Sequence, residues 1–292
     1  MGTQARVGGS RRRVAAVALC VVGVLGLVGI ERSAMAALEL RSVCPVAGVG
    51  GLVAVTNPPG GAATDATLSY PYGLAVSPVD GTSYVSERNW YNDPYTANGR
   101  GRIRRITSGG QISELVLGPT NNVRLGRLAI SNDGSTLYVA TKQSPPALHR
   151  VFTVDLTVPT PTLTALLTTT GEITDLEVSP TTGTLFIATS PDNLVTERLT
   201  NGSTRVVAGG GVDSSNGIPA NTAVLTGPIS IDFATSGDMV LGVFRRVRRV
   251  VPAVTSNPYG DGLIATIASN GGTLDITGDG GLATAAGVGD GV

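Results

Sequence analysis

The fold is decided by a short stretch, PYGLAV at residues 71–76, which is followed by YV at residues 84–85 and by RIRRI at residues 102–106. The first two pieces are typical of two strands joined in a hairpin. The turn between them contains Gly81, and glycine supplies the positive φ that a tight turn requires. Three consecutive antiparallel strands are therefore predicted here.

The pattern of strand, turn and strand recurs three more times along the chain. The other copies are residues 128–131 and 138–139, residues 176–179 and 186–187, and residues 229–232 and 240–241. Each of their turns again contains a glycine, at Gly134, Gly183 and Gly237. Self-similarity of this kind is the sequence signature of a repeat architecture.

A third strand is predicted after each hairpin, and each opens with an arginine followed by an aliphatic residue. These arginines are 48 residues apart, at Arg102, Arg150, Arg198 and Arg246. A fourth strand completes each unit, at residues 112–116, 163–167, 203–208 and 263–268. Four-stranded antiparallel units that bury their faces by stacking are the blades of a β-propeller. We therefore predict an all-β propeller of about four visible blades plus a partial one, rather than a β-sandwich with coincidental spacing.

The composition agrees with many short strands joined by tight turns. The 292 residues are 41% hydrophobic and 14% charged, and 40 of them are glycine. This glycine share is about twice the usual value of roughly 7%. A chain of this length and apolar content buries a large core, which excludes a disordered or collagen-like polymer.

The N-terminus carries the features of an export signal. Three arginines at residues 11–13 precede an apolar run at residues 14–30, and Ala34-Met35-Ala36 is a small-x-small cleavage site. We expect residues 1–36 to be a signal peptide and the protein to be secreted or extracytoplasmic. An uncleaved membrane anchor is the alternative, since a run of 17 apolar residues reaches the lower limit for spanning a bilayer.

Charge and cysteine content narrow the choice of partners. Without residues 1–36, the 21 basic and 21 acidic residues become 16 and 20, a net charge of −4. An acidic body argues against nucleic acid as the main partner. Cys20 lies in the apolar run, which leaves Cys44 alone and predicts no intramolecular disulfide in the cleaved product.

The repeats resemble those of the NHL family of propellers. The similarity is carried by PYGLAV and RIRRI in the first unit, and by LHRV at residues 148–151 in the second. GDGGLATAA at residues 278–286 is similar to the loop that precedes a blade in this family, and residues 217–223 and 61–66 are degenerate copies of it. The resemblance covers residues 60–286 and implies a propeller that usually closes with about six blades.

The resemblance also predicts a domain organisation. Residues 37–60 are expected to be a lead-in that could supply a closing strand, and residues 61–292 the propeller. A fifth blade would place its arginine at position 294, so the array is expected to be cut short at the C-terminus. The alternatives are that four blades close with help from residues 38–55, or that a second copy pairs with the open edge of the propeller.

Binding residues are expected on the face formed by the loops between second and third strands and between blades. The first unit has a long insertion there, with candidates Arg88, Trp90, Tyr91 and Tyr95. Aromatic side chains with polar tips are favoured contact anchors. The alternative is that Trp90 covers the end of its own blade.

The four periodic arginines are candidates for a ring that attracts an anion at the pore. The competing interpretation is that they are repeat-structure residues that lie over neighbouring strands and bind loop carbonyls. Arg102, Arg150, Arg198 and Arg246 are therefore binding candidates with a structural alternative.

Together these features predict an exported, non-catalytic module that binds a protein or a carbohydrate on its loop face, without a cofactor. The alternative is a metal-dependent propeller hydrolase or lyase, lactonase-like, with an incomplete site. Its metal ligands would be Asp175, Glu177 and Asp232, the scattered acidic residues of the first strands. His149 is the only histidine, whereas metal sites need a cluster of ligands.

Overall fold

The computed structural model describes residues 46–48, 60–88, 101–119, 123–143, 148–269 and 281–286. The predicted signal at residues 1–36 and most of the predicted lead-in at residues 37–60 lie outside these ranges. Strands dominate the described chain, together with short 3₁₀ turns. No helix in these ranges is long and apolar enough to cross a membrane.

The strands form four antiparallel sheets within one compact unit, Ala47–Val292. Blade 1 contains β1 (Gly60–Ala62), β2 (Pro71–Val76), β3 (Ser83–Glu87), β4 (Arg102–Ile106) and β5 (Gln111–Leu117). Blade 2 contains β6 (Val123–Ile130), β7 (Thr136–Gln143), β8 (Leu148–Asp155) and β9 (Leu163–Thr169). Blade 3 contains β10 (Glu172–Val178), β11 (Leu185–Ser190), β12 (Leu194–Arg198) and β13 (Thr204–Gly209). Blade 4 contains β14 (Ile218–Pro219), β15 (Ser230–Phe233), β16 (Met239–Val243), β17 (Arg246–Val251) and β18 (Leu263–Ala268).

Each blade is a four-stranded meander, which confirms the predicted all-β propeller architecture. Blades 1 and 4 gain a fifth, outer strand from the segment that precedes them, because β1 pairs with β5 and β14 pairs with β18. We call these preceding segments, residues 60–70 and 211–229, the lead-ins of blades 1 and 4. The three similar loops identified in the sequence each form a 3₁₀ turn, at Ala63–Asp65, Ala220–Thr222 and Ala283–Ala285.

The predicted glycine turns are confirmed. The glycines between the first and second strands all have positive φ, with values of 71° for Gly81, 70° for Gly134, 69° for Gly183 and 87° for Gly237. In blade 4 this turn is one residue shorter, because Phe233 pairs with Met239 whereas Val76 pairs with Ser83. Ile231, and not Ile229, is therefore the counterpart of Leu74, which corrects the predicted alignment of the fourth repeat by two residues.

The constant arginine register is wrong for blade 3. A β-bulge interrupts the pairing of third and fourth strands in every blade, directly after Ile103, Val151, Val195 and Val247. These residues are 48, 44 and 52 apart. The residue directly before each of them is an arginine in blades 1, 2 and 4 but Leu194 in blade 3. The reason is a short connection between β11 and β12, which brings the third strand forward.

Apolar clusters join consecutive blades. One lies between blades 1 and 2 around Leu128, one between blades 2 and 3 around Leu176, and one between blades 3 and 4 around Ile231. The counterpart in blade 1, Leu74, is 62% exposed, whereas Leu128, Leu176 and Ile231 are at most 5% exposed. None of the clusters in the described ranges joins blade 4 to blade 1, so the ring of sheets is open there.

Candidate functional site

A cationic cluster occupies the loop face where the first strands of blades 1 to 3 begin. Tyr72 of β2 is 41% exposed, and the Arg88 Cζ atom lies 3.1 Å from the centroid of its ring. The Cζ atom of Arg127, on β6 of the next blade, lies 4.9 Å from the same centroid. Both guanidinium groups therefore make cation–π contacts with one aromatic ring.

The backbone holds these guanidinium groups in place. The N–H of Arg88 donates to the carbonyl of Tyr70 at 3.1 Å, which fixes the start of the loop after β3. Arg127 Nε donates to the carbonyl of Thr174 on blade 3 at 3.1 Å. It also lies 4.0 Å from Oδ1 of Asp175. Arg127 thus connects blades 2 and 3 while 38% of its side chain remains exposed.

Lys142 and Glu172 complete the cluster. Lys142, near the end of β7, donates to Glu172 Oε2 at 2.5 Å, and both side chains are about two-fifths exposed. Burial lowers the pKa of Arg88, and Tyr72 and Glu172 act in the opposite direction. Since arginine pKa values start near 12.5, Arg88 stays protonated at neutral pH. We call Tyr72, Arg88, Arg127, Lys142 and Glu172 the mouth cluster; its three cations lie beside two carboxylates, that of Glu172 and that of the neighbouring Asp175.

The remaining predicted binding residues have different positions. Trp90, Tyr91 and Tyr95 lie outside the described residues. Arg102 is 5% exposed and forms a buried ion pair with Glu87. Arg198 is the last residue of β12, whereas Arg102 is the first residue of β4.

The periodic arginines therefore do not form one ring. Arg198 donates to the carbonyl of Gly202 at 2.8 Å, which is the loop-carbonyl role predicted as the structural alternative. Arg150 is half-buried near the start of β8. Arg246 lines a cleft in blade 4.

The three predicted metal ligands lie on the first strands of blades 3 and 4. Burial raises the pKa of Glu177 to about 7, and the nearby charges of Asp175 and Asp232 add to this effect. Burial also raises the pKa of Asp175, against the opposing effects of the Ile231 N–H, which donates to Asp175 Oδ2 at 2.8 Å, and of Arg127. In the described part of the chain, no group of three or more His, Cys, Asp or Glu side chains is placed to hold a metal ion.

Four members of the mouth cluster were not predicted from the sequence, namely Tyr72, Arg127, Lys142 and Glu172. Arg127 and Asp175 occupy the same strand position, directly before the apolar residues Leu128 and Leu176, where blade 1 has Gly73. A charged residue at that position was the available signal. The role of this charged residue becomes evident only when the neighbouring blade is in place.

Comparisons with known proteins returned similar solved structures. No family model and no curated protein matches the chain. A periplasmic gluconolactonase from Pseudomonas aeruginosa is 18% identical, with a TM-score of 0.48, over 74% of this chain and 64% of that one. TolB from Acinetobacter baumannii is 11% identical, with a TM-score of 0.49, over 69% of this chain and 44% of that one.

A third similar structure comes from a nidogen/laminin complex. It is 15% identical, with a TM-score of 0.46, over 68% of this chain and 64% of that one. The chain thus spans less than two thirds of the length of each of these structures. By its own four sheets the chain is a β-propeller protein, and these similarities concern the fold alone.

Proposed function

We propose that the protein is an exported, non-catalytic propeller of the NHL type that binds an acidic ligand at the mouth cluster. The ligand is an acidic protein segment or an acidic carbohydrate. The observation that carries the proposal is the placement of Arg88 and Arg127 against one exposed tyrosine ring. The export features at residues 11–36 support an extracytoplasmic location.

The geometry suits recognition of a carboxylate. A guanidinium group binds carboxylates through two parallel N–H donors, and it loses least entropy when it is already held in position. Arg127 is held by the Thr174 carbonyl, and Arg88 by its ring contact and its backbone hydrogen bond. The ligand therefore meets two cations whose positions are set by the rigid blades.

The residue types at and next to the mouth cluster favour ligand binding over catalysis. Lys142 adds a third cation, which is ion-paired with Glu172, and the aromatic insertion at residues 89–95 directly follows Arg88 in the chain. Aromatic side chains and arginine are the residue types that dominate binding energy at interfaces. The rest of the chain is acidic overall, which argues against nucleic acid as the ligand. The positive charge of the mouth cluster is therefore assigned to the binding of a local acidic group.

The test is a binding titration with defined acidic probes. Arg88→Ala combined with Arg127→Ala should weaken binding of polyglutamate or polygalacturonate by about 100-fold or more, since charge-assisted hydrogen bonds contribute about 1.5–3 kcal/mol each and about 1.4 kcal/mol is a factor of ten. Isothermal titration calorimetry measures this, and comparing the two probes separates a protein ligand from a carbohydrate. Arg105→Ala, an exposed arginine on β4 outside the cluster, is the matched control and should change binding less than about twofold.

Two results would contradict the proposal. The first is equal binding by the double variant and the wild type, measured where both have the same melting temperature. The second is equal affinity for neutral dextran, which would show that the positive charge of the mouth cluster has no role.

A further inference from the structure

A second cationic site lies in blade 4, away from the mouth cluster. Arg248 of β17 is 2% exposed, yet no carboxylate lies within 4.0 Å of its guanidinium group among the described residues. Its Nη2 donates to the carbonyl of Ser215 at 2.9 Å, and its Nε atom is buried without a hydrogen-bond partner in the same part of the chain. A buried charge that lacks a counter-charge is costly for a folded protein.

The equivalent position in blade 1 shows what is missing. Arg104 has the same place after the bulge and is also fully buried. There Glu87 supplies the negative charge, 4.0 Å from Arg104 Nη1 and ion-paired with Arg102. In blade 4 the counterpart of Glu87 is not acidic, because Arg246 pairs with Val243. The positive charge of Arg246 and Arg248 is thus left without the partner that blade 1 provides.

The cleft beside these arginines has the right lining for an anion. Arg246 lines two adjoining clefts of about 190 and 320 Å³, which also share Ser214. The first includes Arg248 and Thr226, and the second includes hydroxyl and amide side chains such as that of Asn216. None of the described lining residues is Asp or Glu. Asp213 acts on Arg248 electrostatically, but its carboxylate accepts from the Ser215 N–H at 2.8 Å.

We infer that this cleft binds a tetrahedral oxyanion, a phosphate or sulfate group, next to Arg246 and Arg248. Guanidinium groups and hydroxyl donors are the standard partners of such oxygens. The anion offsets the charge that Glu87 offsets in blade 1. The smaller cleft has room for one such group, and the adjoining cleft has room for the rest of a molecule that carries it.

The experiment titrates the full-length exported chain with sodium phosphate and with sodium sulfate, and uses sodium chloride at equal ionic strength as the reference. The wild type should gain melting temperature with one or both oxyanions and not with chloride, because a ligand that binds only the folded state stabilises it. The two anions are compared separately, which identifies the preferred group.

Variants locate the effect. Arg246→Gln should raise the dissociation constant about tenfold or more, since it removes a charged donor from a partly buried site. Arg249→Gln is the matched control, because this neighbour on β17 has a half-exposed side chain and points away from Arg248. The Arg88→Ala and Arg127→Ala double variant should keep the oxyanion effect, which separates this site from the mouth cluster.

The inference fails if phosphate and sulfate stabilise the wild type no more than chloride does. It also fails if Arg246→Gln and Arg249→Gln retain the same affinity for the oxyanion, which would mean binding elsewhere. Loss of the effect in the mouth variant alone would assign the anion to the mouth cluster instead.

Discussion

Blades 1 and 4 bury an arginine at the same position of the third strand, and they treat its charge differently. In blade 1 Arg104 lies beside Arg102, and the buried carboxylate of Glu87 faces both. In blade 4 Arg248 donates to backbone carbonyls of its own lead-in, including that of Ser215. The fold therefore fixes where the guanidinium group lies, whereas its counter-charge is a local choice of each blade.

The comparison also shows how each lead-in is fastened. In blade 1 the Glu87 Oε1 atom accepts from the Ser69 N–H at 2.7 Å, so the carboxylate holds both the arginines and the lead-in. In blade 4 the arginine holds the lead-in directly. Removing the central group should therefore cost more stability in blade 1, where it also removes a buried carboxylate that faces two arginines.

The largest expected effect comes from Glu87→Gln. This change removes the fully buried carboxylate that faces Arg102 and Arg104, and it should lower the free energy of unfolding by about 3–5 kcal/mol. Urea denaturation followed by circular dichroism measures the loss. Glu114→Gln is the control, because this carboxylate lies 3.7 Å from Arg102 but is one-third exposed, and its loss should cost less than about 1 kcal/mol. Equal losses for the two variants would show that Glu87 has no special role.

A smaller effect is expected from Arg248→Met, measured without phosphate or sulfate. The change removes one good hydrogen bond to the Ser215 carbonyl and longer ones to the carbonyls of Val224 and Ser214. It also removes a buried charge, which offsets part of the loss, so we expect a decrease of about 2 kcal/mol. Denaturation under the conditions used for Glu87→Gln gives a direct comparison.

A decrease as large as that of Glu87→Gln would contradict the distinction between the two blades. It would mean that Arg248 is as tightly coupled to its surroundings as the ion cluster of blade 1. No decrease at all would mean that the carbonyl bonds do not fasten the lead-in.

Much of the fold follows from local signals that the sequence displays. Glycine in the first hairpin of each blade marks a positive φ, and this requirement depends on the turn alone. The third strand of blade 3 was misplaced because a repeat with a spacing of 44 residues is followed by one of 52. The two spacings average 48, so Arg198 lies 48 residues from both Arg150 and Arg246 although it does not occupy their position in the strand. The spacing in the sequence does not reveal this difference.

The sites were harder to predict because their residues meet across blades. Arg127 and Tyr72 are 55 positions apart, and only the stacking of blades 1 and 2 brings them together. Residues 245–249 include four arginines that the sequence alone does not distinguish. Burial distinguishes Arg248 from Arg249, since it depends on the bulge and on the lead-in that covers one face of the sheet.

Blade 3 extends the comparison to a partly buried group of the opposite sign, Glu177, and gives the smallest expected effect. Glu177 has no cation partner within 4.0 Å among the described residues, and burial raises its pKa to about 7 from an ordinary value of 4.5. As the pH rises from 4.5 to 7, Glu177 ionises in the unfolded chain before it ionises in the folded protein. Stability is therefore highest below pH 4.5 with respect to this group, and it is lost as the pH rises towards and through 7.

Glu177→Gln removes this pH dependence and should stabilise the protein at pH 8 by roughly 1–2 kcal/mol, after allowance for partial solvent exposure. Near pH 4.5 the variant and the wild type should be about equally stable, since the wild-type carboxyl group is then neutral in the folded state. Asp232→Asn is the control, because it removes only one neighbouring charge and should recover a minor part of the gain. If Glu177→Gln destabilises the protein at pH 8, the ionised carboxylate has a favourable partner after all, and blade 3 resembles blade 1 in pairing its buried charge.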